Sequence, residues 1–332
     1  MSSRDARIAS IGRFPVGSHA ALGTLSSLPL VWPGSEVRLQ FSGSTIALRL
    51  RCSGEVHLDF EVDGARYLLS PQCDREHDYA LSDLLPGLHA LRLVKRTEAA
   101  IGLVELVAVY PAHDGEIETA PPLPALRLEF IGDSMTVGAC AYDDGDEHWD
   151  RRETHDHRAS FASLVAQRLQ AQHQAIAVSG LGVSKSLVGV RAHQIFDRER
   201  PDPQSPAAAA APAPDAVVVL LGHNDVLAAR RAGEAFPAHF TPDYVQLIRA
   251  IRRRYPAAWI ICATGGMFHS VRSCALRRAW NAAVRVLQQT DRRVLAHRFH
   301  GWSYLHPRTH THAQLADELV GLLTRILGSP PP

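Results

Sequence analysis

The sequence lacks an excess of charge of either sign, and it lacks any apolar run long enough to cross a bilayer. Lysine and arginine number 35 against 34 acidic residues, so no net field attracts nucleic acid or an anionic membrane surface. No window reaches the roughly 18 apolar residues of a spanning helix, and the first seven residues contain no apolar signal core. We therefore expect a soluble protein without nucleic-acid or membrane partners, cytoplasmic as the sequence stands, or secreted or periplasmic if a native signal segment precedes it.

Cysteine is scarce and irregularly placed. The 5 cysteines in 332 residues lie at positions 52, 73, 140, 262 and 274, without a CxxC pair. An odd, scattered set is not typical of a disulfide framework or a zinc cage, so we expect reduced thiols. His310 and His312 lie at i and i+2, so they do not share a helix face, and no third ligand is evident. No metal and no cofactor is expected.

The first third of the chain shows alternation with period two. Val37, Leu39 and Phe41 alternate with polar residues, and the pattern recurs at 46–50 and 56–62. Turn residues separate these runs, which is typical of half-buried antiparallel strands. Residues 1–119 are therefore predicted to form an all-β sandwich of jelly-roll type. The proline-rich stretch 120–126 is predicted to be a linker, because proline stiffens the chain and removes backbone donors.

From residue 127 onward, strands alternate with helices. The continuous apolar run from Ala216 to Leu221 is typical of a parallel strand covered on both faces. Residues 127–332 are predicted to form a three-layer α/β/α domain with about five parallel strands, in which reactive groups lie beyond the carboxyl ends of the strands. The low-complexity segment 201–214 is predicted to be a surface insertion without a chemical role. Further strands are predicted at 126–131, 175–179, 258–264 and 293–299, and helices at 161–169, 242–254, 274–289 and 315–326.

Four polar or small residues follow the predicted strands in order. Ser134 ends the first strand, Gly180 follows the second, Asn224 follows the third, and His306 precedes the last helix. Each has an ordinary structural explanation, such as a turn or a helix N-cap. Together they supply a nucleophile, a base and oxyanion donors at one sheet edge. Four unrelated occurrences in this order are far less probable than one site.

At these residues the sequence resembles the SGNH (GDSL-type) hydrolases, whose four letters are matched by Ser134, Gly180, Asn224 and His306. The preceding sandwich makes the chain similar to carbohydrate esterase family 2. This likeness rests on IGRF at 11–14, WPGS at 32–35, FSGS at 41–44, VDG at 62–64, LVKRTE at 93–98, FIGDSMT at 130–136 and HPRTHTH at 306–312. The resemblance implies a serine esterase that removes O-acetyl groups from polysaccharides such as xylan and glucomannan.

The chain departs from the SGNH pattern beside the histidine. SGNH hydrolases commonly have aspartate three residues before it, where this chain has Ser303, and no acidic residue lies between Asp291 and His306. We therefore predict a dyad of Ser134 and His306, with a backbone carbonyl orienting the imidazole, or a distant carboxylate as the second alternative. The oxyanion hole is assigned to Ser134, Gly180 and Asn224. Asp133 and Asp225 are expected to support loops.

The aromatic residues beside the histidine have two interpretations of equal weight. Trp302 and Tyr304 can offer a sugar ring an apolar face, or they can pack in the core. Two other functions also remain open: a short-chain lipase, thioesterase or arylesterase on the same scaffold, and a carbohydrate-binding protein with an inert hydrolase domain. The expected partner is an acetylated carbohydrate or another small acyl ester. The oligomeric state is not determined by the sequence.

Overall fold

The computed structural model describes residues 7–15, 27–111, 113, 115–209 and 212–328. The chain divides into two compact units, Met1–Leu123 and Pro124–Pro332. Within the described residues, no helix combines the length and the apolar character that a membrane span requires.

Unit 1 is a β-sandwich of antiparallel strands. One sheet has the strand order β1-β3-β8-β5-β6, with β10 also paired to β3, and the other has the order β2-β9-β4-β7. The strands of the described part are β1 (Ala9–Ile11), β2 (Leu28–Leu30), β3 (Glu36–Ser42), β4 (Ile46–Gly54), β5 (Leu58–Val62), β6 (Ala65–Leu69), β7 (His77–Leu81), β8 (Leu88–Lys95), β9 (Gly102–Pro111) and β10 (Ile117–Glu118).

Alternation along the strands produces the core of unit 1. Val37, Leu39 and Phe41 of β3 are buried in one cluster with residues of β4 such as Ile46 and Leu48. Since β3 and β4 belong to different sheets, the two inner faces share a single core, as in other sandwiches. The predicted β-sandwich is confirmed.

The prediction that all cysteines are reduced is wrong for one pair. Cys52, in β4, is disulfide-bonded to Cys73, which follows β6, and their Cα atoms lie 4.7 Å apart. The pair is 21 residues apart in the chain, a separation without a local signature, so only the path of the strands brings the two together. Cys140 and Cys262 are free and buried, and Cys274 is free and exposed.

Unit 2 alternates strands with helices as predicted. Its described strands are β11 (Arg127–Gly132), β12 (Gln172–Ala177), β13 (Ala216–Leu220), β14 (Trp259–Met267) and β15 (Val294–Ser303), and its helices are α1 (Ser134–Val137), α2 (Phe161–Arg168), α3 (Ala192–Ile195), α4 (His223–Arg231), α5 (Phe240–Arg254), α6 (Phe268–Arg272), α7 (Cys274–Gln288) and α8 (Thr309–Leu327). Two 3₁₀ turns lie at Arg152–Thr154 and His157–Ala159. Of the alanine- and proline-rich segment 201–214, residues 210 and 211 lie outside the described part of the chain.

The sheet of unit 2 is parallel and has the order β12-β11-β13-β14-β15. Two helical layers cover it. Leu128 and Phe130 pack in one cluster with Phe161 of α2 and Leu315 of α8, whereas Glu129 accepts a hydrogen bond from the Tyr255 hydroxyl at the end of α5, at 2.8 Å. Because successive side chains on a strand point to opposite faces, α2 and α8 cover one face and α5 the other. The three-layer α/β/α prediction is confirmed.

The strand order locates the place where a ligand is expected. After β11 the chain adds β12 on one side and β13 on the other, so the crossovers on the two sides of β11 diverge. In open parallel sheets, a crevice at the carboxyl ends of the strands opens at this switch point. Ser134 follows β11 and Asn224 follows β13, so the switch point carries two of the four predicted site residues.

Candidate active site

Ser134 is held at the first turn after β11. The backbone passes so close to Thr136 that a Cβ on Gly132 would lie 2.0 Å from the Thr136 hydroxyl oxygen, which explains glycine at this position. The Asp133 carboxylate accepts the Met135 N–H at 3.1 Å and caps α1. Ser134 is therefore presented by a rigid turn, and its side chain lines an open pocket of about 240 Å³.

His306 reaches Ser134 from the loop between β15 and α8. Its Nε2 lies 2.7 Å from the Ser134 Oγ, the distance of a hydrogen bond from a hydroxyl to an imidazole nitrogen. The ring is buried, and its centroid lies 5.0 Å from that of Trp149 in an edge-to-face contact. This geometry suits a hydroxyl whose proton is taken by the histidine.

The acceptor for the second imidazole nitrogen is a carboxylate. Glu147 Oε1 lies 2.6 Å from His306 Nδ1 and also accepts the backbone N–H of His306 at 2.6 Å. Of the two predicted groups that could orient the imidazole, a backbone carbonyl or a distant carboxylate, the structure places a carboxylate at Nδ1. Glu147 is 159 residues from His306 in the chain, so a search between Asp291 and His306 could not find it.

Electrostatics keep Glu147 ionised. Burial raises the pKa of its carboxyl group, but the hydrogen bond and positive charge available at His306 outweigh burial and lower the pKa to about 2. The Trp149 indole N–H donates to the other oxygen, Oε2, at 3.3 Å. Because all the polar contacts of Glu147 come from N–H donors, the carboxylate fixes the tautomer with the proton on Nδ1 and leaves Nε2 free to accept.

Hydrogen bonds from Arg308 and within the loop hold the segment that carries Glu147 in place. The Arg308 guanidinium donates to the carbonyl oxygens of Cys140 at 2.9 Å and Gly145 at 2.8 Å. Asp143 accepts the His148 N–H at 2.8 Å. Since Arg308 is two residues from His306, one side chain links the loop of the acid to the loop of the base.

Gly180 lies in the loop after β12 and lines the same pocket. Its φ is +85°, and a Cβ would lie 3.2 Å from side-chain atoms of both Leu187 and Val188, so only glycine fits without strain. Asp225 supports the following stretch, because its carboxylate accepts the N–H groups of residues 183, 184 and 185 at 2.7 to 2.9 Å. The expected loop-supporting role of Asp225 is confirmed.

Asn224 lies in the first turn of α4 and is buried in the pocket wall. Its Nδ2 donates to the Leu181 carbonyl oxygen at 3.0 Å and to Asp133 Oδ2 at 3.2 Å. Asp133 Oδ2 also lies 2.9 Å from His223 Nε2. Burial lowers the pKa of His223, but the charge of Asp133 outweighs burial and raises it. Asp133 thus supports the loops after β11 and β13, as expected.

The two aromatic residues beside the histidine are exposed. Trp302 is 45% and Tyr304 66% accessible, which excludes core packing as their role. The Phe268 ring is close to both, with centroid distances of 6.0 Å to Trp302 and 4.6 Å to Tyr304. Tyr304 lines the pocket, whereas Trp302 is not among its lining residues.

His310 and His312, the two histidines considered as metal ligands, lie in different environments. His312 is buried, and its Nδ1 accepts the Phe161 N–H at 3.2 Å, whereas His310 is exposed. The part of the chain that the structure describes contains no group of three or more His, Cys, Asp or Glu side chains arranged to hold a metal ion.

Comparison with known proteins matches both halves of the chain to family models. Residues 130–322 match the GDSL-like lipase/acylhydrolase family, and residues 24–121 match the carbohydrate esterase 2 N-terminal domain. Two curated relatives are the cellulase/esterase CelE of Acetivibrio thermocellus, 31% identical over 71% of this chain, and the acetylxylan esterase/glucomannan deacetylase of Cellvibrio japonicus, 24% identical over 69%. The chain spans 29% of the length of the first and 66% of the second.

Solved structures agree with this match. A family two carbohydrate esterase from Clostridium thermocellum in complex with cellohexaose is 25% identical, with a TM-score of 0.83 over 97% of this chain and 99% of that one. The GDSL-like model alone covers more than half of the sequence, and it includes Ser134, Gly180, Asn224 and His306. The chain therefore belongs to the GDSL-like lipase/acylhydrolase family, and it carries an N-terminal domain of the carbohydrate esterase 2 type.

Proposed function

We propose that the chain is a serine esterase that removes O-acetyl groups from carbohydrates, such as acetylated xylan, glucomannan or smaller sugars, through an acyl-enzyme intermediate. The observation that carries the proposal is the chain of contacts from the Ser134 hydroxyl through His306 to Glu147, at 2.7 and 2.6 Å. The names of the two curated relatives support the substrate class, because one is called a cellulase/esterase and the other an acetylxylan esterase/glucomannan deacetylase.

In the first half of the reaction, His306 Nε2 takes the proton from the Ser134 hydroxyl as its oxygen attacks the acetyl carbonyl carbon. The tetrahedral intermediate collapses, and the sugar oxygen leaves with the proton from Nε2. Ser134 then carries the acetyl group. In the second half, His306 deprotonates a water molecule, which attacks the acetyl-serine, and Ser134 recovers its proton as acetate leaves.

Glu147 acts on His306 and does not touch the substrate. Its carboxylate accepts the Nδ1–H, which keeps Nε2 available as the base, and its negative charge stabilises the imidazolium that forms in each half-reaction. Glu147 is thus the positioning residue that completes a Ser134-His306-Glu147 triad.

The oxyanion is assigned to the backbone N–H groups of Ser134 and Gly180 and to the Asn224 amide. Asn224 already donates to Leu181 and Asp133, and the 3.2 Å contact to Asp133 is the longer of the two. The oxyanion can share the N–H that points to Asp133 as a second acceptor, and Asp133 keeps its contacts to His223 and the Met135 N–H. Removal of one oxyanion donor commonly costs on the order of 10² to 10³ in turnover.

The pocket supports a short acyl group and an exposed sugar. Its volume of about 240 Å³ is below the range of roughly 300 to 1,000 Å³ for sites that enclose drug-sized ligands. The exposed rings of Trp302 and Tyr304 offer apolar faces on which a sugar ring can stack. A lipase or thioesterase would need room for a longer chain.

Hydrolysis of 4-nitrophenyl acetate by the intact chain and by Ser134→Ala tests the proposal. We expect turnover by the intact chain and none above background by the variant. Equal rates for the two proteins would favour the alternative function, a carbohydrate-binding protein whose hydrolase domain is inert. Acetate release from acetylated xylan, glucomannan and monosaccharides then identifies the substrate, and faster turnover of 4-nitrophenyl octanoate than of the acetate would favour the lipase or thioesterase alternative.

A further inference from the structure

One face of α4 forms a wall of the pocket from its interior to its mouth. Asn224, Leu227 and Arg231 all line the pocket, and their spacing of i, i+3 and i+7 places them on one side of a helix. Their exposure increases along the helix: Asn224 is buried, Leu227 is half-buried and Arg231 is exposed. With about 1.5 Å of rise per residue, Arg231 lies about 10 Å along the axis from Asn224.

Arg231 has no carboxylate partner within the described residues. The acid that follows it on the chain, Glu234, is paired with Lys185. Asp225, on the same helix, is buried and accepts backbone N–H groups. The acidic side chain among the described residues that line the pocket is Glu147, and its oxygens are engaged by His306 and Trp149.

Arg231 is the arginine among the described residues that line the pocket. Arg230 donates to His269 Nδ1 at 3.1 Å, so the imidazole accepts at that nitrogen. Burial and the charge of Arg230 lower the pKa of His269, so this pocket residue is neutral at neutral pH. Among the described residues that line the pocket, Arg231 thus presents a guanidinium without a carboxylate partner, and the planar fork of donors of this group matches a carboxylate.

We propose that Arg231 binds a carboxylate on the carbohydrate, so that the preferred substrate is an acetylated sugar chain that carries a uronic acid. This inference rests on the proposed function and specifies its substrate class. Because Arg231 lies about two helical turns from Asn224, the carboxylate belongs to a part of the substrate separate from the acetyl ester. The ester is held at Ser134, and the acid is held at the mouth.

Binding to the Ser134→Ala protein tests the inference without turnover. The probe is a set of oligosaccharides from acetylated glucuronoxylan, compared with the same material after carboxyl reduction, which converts each glucuronic acid to an uncharged glucose. By isothermal titration calorimetry we expect the acidic form to bind about two- to fivefold more tightly, as for an exposed ion pair with good geometry. The preference decreases as salt is added, because the contact is solvent-accessible.

Two matched variants in the Ser134→Ala background assign the preference to its residue. Arg231→Gln is expected to bind the two forms equally. Arg253→Gln removes the same charge from the exposed side of the last turn of α5. In a βα unit this end of the helix lies at the sheet edge opposite the carboxyl ends of the strands, so the variant is expected to keep the full preference.

The outcomes separate this inference from the proposed function. Equal binding of the two forms, no binding of either, or a preference that survives Arg231→Gln would overturn the role of Arg231. If the chain with Ser134 intact releases acetate equally from both forms, the proposed esterase function holds and the role of Arg231 is excluded. If Arg231→Gln abolishes a binding preference but no form releases acetate, the carboxylate site at Arg231 holds and the proposed esterase function is excluded.

Discussion

Replacing Glu147 separates two contributions that its carboxylate makes to His306. Oε1 accepts both the backbone N–H and the Nδ1–H of His306, each at 2.6 Å. Glu147→Gln keeps a neutral oxygen at this position and so keeps the tautomer, but it removes the negative charge. Glu147→Ala removes both the acceptor and the charge.

The size of the charge effect follows from the surroundings of Glu147. Burial raises its pKa, yet the contacts with His306 lower it to about 2. Against an ordinary value near 4.3, this corresponds to about 3 kcal/mol in favour of the ionised form. Since the Trp149 contact and the backbone N–H contribute part of this energy, and since the side chain is 18% exposed, the loss for Glu147→Gln is at most about 10²-fold in turnover. Loss of the tautomer costs about 10⁴-fold in Ser-His-Asp sites, so we expect about 10³ to 10⁴ for Glu147→Ala.

The assay is the steady-state hydrolysis of 4-nitrophenyl acetate between pH 5.5 and 8. Because the pKa of Glu147 is lowered to about 2, its charge in the folded enzyme is present throughout this range and is lost only near pH 2. The penalty of Glu147→Gln is therefore expected to include the full charge effect at every pH tested. Asp144→Asn is the control, because Asp144 is an exposed carboxylate of the same loop, and we expect it to keep wild-type rates.

A rate for Glu147→Ala within about threefold of wild type would show that Glu147 does not fix the tautomer of His306, because a tautomer effect of the size given above would then be missing. The Nδ1–H would then have another acceptor, such as a backbone carbonyl, and the result would favour the predicted dyad of Ser134 and His306. Equal, large losses for Glu147→Ala and Asp144→Asn would instead indicate a general disturbance of the loop, which near-ultraviolet circular dichroism would detect.

Three further predictions concern the surroundings of the site and the sandwich. Burial lowers the pKa of His312 to about 3, so below pH 6.5 the unfolded state takes up a proton that the folded state does not. In urea unfolding, the destabilisation by His312→Asn should therefore be smaller at pH 5.5 than at pH 7.5 by about 1.3 kcal/mol. An equal destabilisation at the two pH values would contradict this prediction. The double variant Cys52→Ala, Cys73→Ala should lower the free energy of unfolding of unit 1 by about 3 kcal/mol. Thiol titration of the oxidised wild type under denaturing conditions should detect 3 free thiols, whereas 5 free thiols would exclude the disulfide. Gly180→Ala forces an alanine to φ +85° against Leu187, so kcat/KM should fall by about tenfold or more with a stability loss of about 1 to 2 kcal/mol, and unchanged kcat/KM would remove Gly180 from the oxyanion hole.

Local sequence patterns are enough to predict many of the strands of this protein and the positions of two site residues. Alternation along β3 and β4 marks which side chains enter the sandwich core, and the unbroken apolar run of β13 marks a strand covered on both faces. Both patterns follow from the direction of successive side chains on a strand, which is a property of a few adjacent residues. The positions of Ser134 and His306 at the ends of such segments could therefore be predicted from the sequence.

Contacts between residues that are distant in the chain depend on how the whole unit folds. Five carboxylates occur in the eight residues 143–150, and nothing local distinguishes Glu147 from the other four. The Cys52–Cys73 bond and the row from Asn224 to Arg231 along the pocket wall likewise depend on the path of the chain in space. A contact between residues 159 positions apart is set by the packing of the whole unit, so the residue that orients His306 could not be predicted from the neighbours of His306.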